Sequence, residues 1–479
     1  MRAFLVVLSC AWAVAVPSAP AMARALPQNA AASTDGAGYY YLLGKHLEGE
    51  GKIDAAVAAH KRAIELDPNS AELRAELAGL YVRQNDVLQA YQRSEEALAR
   101  DPENDEANRI VGTIYASLAE QHVKLKPGDD PATYPAKAIA ALEKARGDES
   151  DLGLNLILGR LYVQAHEFEK AIPLLARVTE RAPDLVEAAM LLSTAQEEAD
   201  HTDAAIETIQ ALLAENPESY RAEVRLAELL ERAQRWNEAA EAYGKAQAMS
   251  GARAAPLTPR RAIALLSGGR PAEAKALVQG ALGANQVSQL DPVLLYLLAE
   301  SQRALKDYEG ATATARKLIT AHPEDSRGLH VLSMVLQDRG DLKGAERALR
   351  DLIARDPIDA NALNSLGYLL AEHGQQLEEA VSFLERALTI DPGNPSYLDS
   401  LGWVYYQQGR LDLADSHLTE AAVKLRTNSV VQDHLGDLRF KQQRYRDAAS
   451  AWEQALAGDG QAIDRSKIEK KIRDARGRM

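Results

Sequence analysis

Residues 394–422 read NPSYLDSLGWVYYQQGRLDLADSHLTEAA. Leu401, Gly402 and Tyr405 stand at i, i+1 and i+4, and Ala414, Leu418 and Ala421 follow at i, i+4 and i+7. Those offsets put one apolar stripe on each of two successive helices, so that the stripes face each other. Gly402 falls where the two helices come closest, since a larger side chain there would force them apart. The same order recurs upstream as Leu43-Gly44, Ala56 and Pro68, then Leu77-Ala78, Ala90 and Pro102, then Leu158-Gly159, Ala171 and Pro183. The proline stops the second helix, and the polar residue before it starts the turn.

Working outward, about twelve such units begin near residues 37, 71, 105, 153, 186, 220, 255, 292, 326, 360, 395 and 429. Three breaks interrupt them. The third unit carries Lys124-Leu-Lys-Pro-Gly-Asp-Asp-Pro as an extended turn between its helices. A weak seventh unit, centred on Leu265 and Ala274, starts with Pro256 and Pro259 and lacks the closing proline, which predicts a hinge. Gln375-Gln376 lengthen the turn of the tenth unit. The expected organisation is a leader over 1–23, a flexible lead-in over 24–36, an N-terminal array over 37–250, an irregular repeat over 251–291, a C-terminal array over 292–460 and a basic capping helix over 461–479.

The totals agree with packed helices. Of 479 residues 46% are apolar but only 5% aromatic, and alanine, the strongest helix former, lets backbones approach closely. A net charge of −14 argues against a nucleic-acid partner, which requires a basic footprint. Met1-Arg2, the apolar run Ala3 to Val16 and Ala21-Met22-Ala23 form a secretory signal with cleavage before Arg24. Beyond it, no stretch approaches the roughly 20 apolar residues of a membrane span. Cys10, the only cysteine, closes Val7-Leu8-Ser9-Cys10, which resembles a lipoprotein acylation box. Cleavage there would cut the apolar run in its middle, so plain export to the periplasm is expected and lipid anchoring through Cys10 is the second reading. A chain cleaved after Ala23 has no thiol and no disulfide.

The period and the Leu-Gly, Ala, Pro order over residues 37–460 resemble the tetratricopeptide (TPR) repeat, a helix-turn-helix unit. That resemblance implies an all-α, right-handed superhelical solenoid of about twelve units, whose first helices line a concave face. A narrower likeness lies in Leu363-Asn-Ser-Leu-Gly-Tyr, Tyr397-Leu-Asp-Ser-Leu-Gly-Trp-Val-Tyr-Tyr and His434-Leu-Gly-Asp. These runs look like exported bacterial TPR adaptors of the kind that serves a periplasmic carboxy-terminal processing protease. The resemblance implies a non-catalytic scaffold that holds a protease and its client.

Nothing in the residues points to catalysis. There is no H-E-x-x-H, G-x-S-x-G, G-K-[ST] or G-x-G-x-x-G motif. The ten histidines are scattered without the i, i+3 to i+5 pairing of a helical metal site, so neither metal nor cofactor is expected. The expected chemistry is recognition of protein or peptide partners. By the family's geometry the contacts in the C-terminal block are Asn361, Asn364 and Tyr368, then Trp403, Tyr406 and Gln407, then His434, Asp437, Phe440 and Lys441. Rings supply contact area at little entropic cost, and asparagines can hold an extended backbone. Tyr405 is expected in the helix seam. In the N-terminal groove the candidates are Tyr41, Lys45, Arg109 and Arg160. Lys45 and Arg109 match the basic positions of the family's carboxylate clamps, but without the accompanying asparagines a chaperone-tail reader is not expected. The basic tail, with seven Lys or Arg against three acidic residues from Asp464, is read as a solvating cap, with contact to an anionic envelope surface as the other reading. The rival function is a structural assembly factor in polysaccharide or pilus export.

Overall fold

The computed structural model describes residues 36–145, 151–250, 256–283, 290–374, 376–460 and 463–479. The expected leader, Cys10 and the lead-in up to residue 35 lie outside the described residues. The described chain holds twenty-five α-helices and no strand. It divides into two compact units, one ending at Gly251 and one starting at Ala252.

The N-terminal unit contains six helix hairpins. They are α1 (Ala37–Gly49) with α2 (Ile53–Leu66), α3 (Ala71–Arg83) with α4 (Val87–Leu98), and α5 (Asp105–Glu120) with α6 (Tyr134–Lys144). Then come α7 (Leu152–Gln164) with α8 (Phe168–Arg181), α9 (Val186–Glu198) with α10 (Thr202–Glu215), and α11 (Tyr220–Arg232) with α12 (Trp236–Ser250). The C-terminal unit has six more. These are α13 (Thr258–Ser267) with α14 (Pro271–Gly283), α15 (Pro292–Ala304) with α16 (Tyr308–Ala321), and α17 (Arg327–Asp338) with α18 (Leu342–Arg355). They continue as α19 (Ala360–Glu372) with α20 (Leu377–Ile390), α21 (Pro395–Gln407) with α22 (Leu411–Lys424), and α23 (Ser429–Lys441) with α24 (Tyr445–Ala457). A single helix, α25 (Arg465–Arg476), closes the chain.

Local chemistry sets the helix boundaries. Ser70, Asn104, Asp151, Ser219, Asp291, Asp359, Asn394 and Asn428 each stand just before a first helix and accept a backbone N–H of its first turn. Each hairpin then turns through a residue with positive φ. It is a glycine at Gly51, Gly269, Gly340, Gly374 and Gly409, but Asn85, His122, His166, Asp200, Gln234, Lys306 or Gln443 elsewhere. The lengthened tenth turn adds Gln376 in the left-handed region.

Packing within each hairpin follows the small-against-large rule read from the sequence. A Cβ on Gly402 would lie 2.7 Å from Leu418, and one on Gly436 would lie 2.4 Å from Trp452. Within each unit, each hairpin also packs on the next, so the core is a chain of local clusters; one of them runs from Ala56 to Ala195. The insertion of the third unit is tied down by Tyr134, whose hydroxyl accepts the Leu125 N–H at 2.8 Å and donates to Asp129 at 2.8 Å. The seventh unit forms a complete hairpin. Pro259 falls in the first turn of α13, where a missing N–H costs nothing, and Ala262 and Val278 are buried with Leu294 of α15. At the C-terminus Ile468, Ile472 and Ala475 of α25 cover Trp452 and the apolar side of α24.

Candidate partner-binding face

Within the C-terminal unit α19, α21 and α23 lie side by side, because each first helix touches the first helix of the next hairpin. One stripe across them carries Asn364 and Tyr368, then the buried Asp399 with Trp403 and Tyr406, then Asp433, Asp437 and the exposed Lys441, at the i, i+3 and i, i+4 spacing that keeps residues on one helix face. Tyr405 turns the other way. It is 6% exposed, stacks on His417 and donates to Glu385 from the seam, where the sequence placed it.

Four rings connect the three helices. Trp403 stacks nearly parallel with His434 at 4.1 Å between centroids and with Tyr406 at 4.8 Å. Tyr368 reaches the same His434 ring at 6.3 Å. Below them Nδ1 of His434 sits 3.0 Å from Asp399, and both side chains are buried. Burial opposes a charge on His434, but Asp399, with Asp433 and Asp437 nearby, holds its imidazolium form and raises its pKa above the ordinary value. Burial, with Glu372 and Asp399 close by, pushes the Tyr368 hydroxyl far up, so it stays a neutral donor. Burial likewise raises the Asp437 carboxyl, against the pull of Lys471.

The expected contact residues separate into distinct roles. Asn361 is exposed, and its Oδ1 accepts from the Tyr397 hydroxyl at 2.8 Å, which ties α19 to α21. Asn364 differs from it, because its Oδ1 is buried and has no hydrogen-bond partner. Tyr368, Trp403 and Tyr406 are half-buried, and Gln407 is exposed. Lys441 is exposed, with its Nζ 4.3 Å over the Tyr406 ring and donating to the Tyr406 carbonyl. Two positions depart from expectation. His434 is only 7% exposed, so it braces the face from beneath rather than offering itself to a partner. Phe440 packs against Trp452 and Tyr445 under the Arg478 guanidinium, which makes it part of the terminal cap.

Three further side chains at this face escaped the sequence reading. Asp399 and Asp433 occupy the same offset from their unit starts as Asn364 does, so the repeat register itself could have found them. Lys471 could not be found that way, because α25 is not a repeat. It reaches back to Asp433 at 2.8 Å and Asp437 at 2.7 Å, bringing the cap into the edge of the face.

The N-terminal candidates are engaged by their own neighbours. Tyr41 and Lys45 meet Glu76 of the next first helix, at 3.4 and 3.0 Å. Arg109 pairs with Glu106 on its own helix, and Arg160 pairs with Glu120 on one side and Glu187 on the other. Among the described residues no cluster of three or more His, Asp or Glu is arranged to hold a metal, and no helix is long and apolar enough to cross a membrane.

Tandem hairpins that seat a small residue of one helix against a bulky one of the next, with neighbouring first helices in contact within each unit, define a helical-repeat scaffold suited to protein–protein interaction. A tetratricopeptide-repeat model matches residues 192–256, 260–326 and 331–395, and a second matches 47–114 and 135–194. The chain belongs to the tetratricopeptide-repeat family. A TPR repeat-containing protein of Pseudomonas aeruginosa is 31% identical over 184 residues, which are 38% of this chain and 30% of that one. The BBSome complex member bbs-4 of Caenorhabditis elegans is 30% identical over 83 residues, 17% of this chain and 18% of its own. The chain therefore spans less than a third of the length of these curated relatives. Among solved structures, yeast Tom70 is similar over 92% of this chain and 95% of its own, with 14% identity and a TM-score of 0.46.

Proposed function

We propose that the protein is an exported, non-catalytic adaptor that holds an extended segment of a partner polypeptide along the concave face of α19, α21 and α23. In this reading it acts in the periplasm and brings clients to a carboxy-terminal processing protease, and the basic outer side of α25 supports peripheral contact with the envelope. The observation that carries the reading is Asn364. A buried carbonyl oxygen without a donor costs about 1–3 kcal/mol, and a peptide N–H laid across the face would remove that cost. Beside it, the edges of Tyr368, Trp403 and Tyr406 offer contact area that is already ordered, so binding sacrifices little side-chain entropy. The Trp403 ring already stacks with His434 and Tyr406, so its orientation is set before a partner arrives.

The test is capture from periplasmic extract with the mature chain, followed by quantitation of the bound processing protease and wall hydrolases. Trp403→Ala and Asn364→Leu should each weaken capture by about 2 kcal/mol, or roughly 30-fold. Unchanged capture by both variants would remove this face from the mechanism. Recovery of export-complex subunits alone would replace the adaptor with the structural assembly factor.

A further inference from the structure

A second candidate site lies in the N-terminal unit. Leu213, Pro217, Leu226 and Met249 wall a cavity of about 440 Å³ between α10, α11 and α12, and Glu223 lines it. Glu223 is 4% exposed, and its Oε2 has no hydrogen-bond partner. The cation nearest to it, Lys245, stays 3.7 Å from the other oxygen with most of its length in solvent.

Equivalent positions in other hairpins show what this one lacks. In the second hairpin the matching residue is Arg74. Its guanidinium donates to the carbonyls four and six residues back, at Ser70 (2.7 Å) and Pro68 (2.6 Å). In the third, Asn108 donates to the same two positions, Asn104 (3.0 Å) and Pro102 (2.9 Å). The corresponding carbonyls in the sixth hairpin belong to Ser219 and Pro217. There Glu223, as a carboxylate, can only accept. The partner position is inverted as well: Arg74 faces Glu96 at 3.8 Å, whereas Glu223 faces Lys245. The sixth hairpin thus reverses a buried-cation pair and leaves Glu223 Oε2 without a donor beside a space lined by Leu213, Pro217, Leu226 and Met249, with Lys245 at its edge.

We infer that this cavity takes a guanidinium on an apolar stem, supplied by an arginine side chain of a partner polypeptide. The guanidinium donates to Glu223 Oε2 and to the Pro217 carbonyl, filling the place that Arg74 fills in the second hairpin, while the stem lies against Leu213, Leu226 and Met249. A planar fork of donors matches a carboxylate and a carbonyl better than a single ammonium does. Burial raises the Glu223 carboxyl, with Lys245 opposing, and an incoming guanidinium works in the same direction as Lys245.

The experiment titrates the full mature chain with acetyl-arginine-amide and with acetyl-citrulline-amide, its uncharged counterpart, by calorimetry. Saturable one-to-one binding of the arginine probe is expected, with the citrulline probe at least about tenfold weaker. The exchange Glu223→Arg with Lys245→Glu restores the arrangement of the second hairpin, so it should abolish probe binding and raise the unfolding temperature. Glu223→Gln keeps the volume and should weaken the probe by a similar factor, which covers the case that the double variant does not fold. Equal binding of the two probes, or unchanged arginine binding by Glu223→Gln, would overturn the assignment. Trp403→Ala should leave the titration unaltered, so this site and the aromatic face stand or fall separately.

Discussion

The first helices of the N-terminal unit are joined across hairpins by ion pairs that keep at least one partner in solvent: Lys45 to Glu76, Arg83 to Glu48, Arg160 to Glu120 and Glu187, and Arg232 to Glu197; the Arg225–Glu197 pair is the more buried exception. Those of α19, α21 and α23 are joined by stacked rings above one buried pair, His434 with Asp399. Both devices hold neighbouring repeats in register, but their energetics differ. An exposed ion pair exchanges water for a partner at little net gain, typically about 0–1 kcal/mol. A buried pair contributes little over an apolar substitute, yet losing one member leaves a stranded charge. The N-terminal face is therefore tolerant and solvated, and the C-terminal face is brittle and ordered in advance.

The largest break in that contrast is expected at His434. His434→Leu leaves Asp399 buried and unpaired, which costs about 3–5 kcal/mol, and removes one side of the Trp403 stack. Loss of amide-exchange protection confined to α19, α21 and α23 would show it, with the N-terminal hairpins unaffected because repeat stability is local. Global unfolding, or no change at all, would contradict the division of roles. The same pair sets a pH dependence. His434 has a raised folded-state pKa, so its contribution is complete below the unfolded value near 6.5 and is lost as pH rises through the folded value. The wild type should lose stability over that interval above about 6.5 relative to His434→Leu, in a titration of unfolding midpoint against pH.

Much of this was legible in the letters. Leu401, Gly402, Ala414 and Ala421 announce a hairpin because small and bulky residues must alternate where helices touch, and Asn394 or Asp359 announces its start. The ring-rich stripe was legible for the same reason, since a register fixes which residues share a face. Depth was not. His434 and Tyr368 look equivalent in sequence, and only packing shows that one is buried beneath the other's neighbours. Phe440 has the offset of Tyr406, but it is the last repeat and α25 covers it. Lys471 lies outside any repeat, and nothing in a periodic pattern ties it to Asp437. The inversion of Arg74 and Glu96 into Glu223 and Lys245 is plain once aligned, but its meaning depends on Glu223 having no donor.

A second, smaller difference concerns the turns. The N-terminal unit makes most of its hairpin turns with left-handed Asn, His, Asp or Gln, whereas the C-terminal unit places glycine at 269, 340, 374 and 409. Gly340 has φ +83 and open space where a Cβ would go, so Gly340→Ala isolates the backbone term. It should cost about 1 kcal/mol in chemical denaturation. The reverse change at Gln234, φ 57, should gain less, because glycine also loosens the unfolded chain. Equal and opposite effects would mean that the unfolded state contributes nothing.

The smallest effect is expected at Lys45. Its ammonium meets Glu76 at 3.0 Å and Glu48 at 3.5 Å, with the side chain 39% exposed. After Lys45→Ala, Glu76 rehydrates, and Glu48 keeps Arg83. The change in stability should be about 0–1 kcal/mol and should shrink further in concentrated salt, where exposed pairs are screened. A loss approaching that of His434→Leu, or one insensitive to salt, would mean that the charged face is as tightly coupled as the aromatic one, and the contrast between the two regions would disappear.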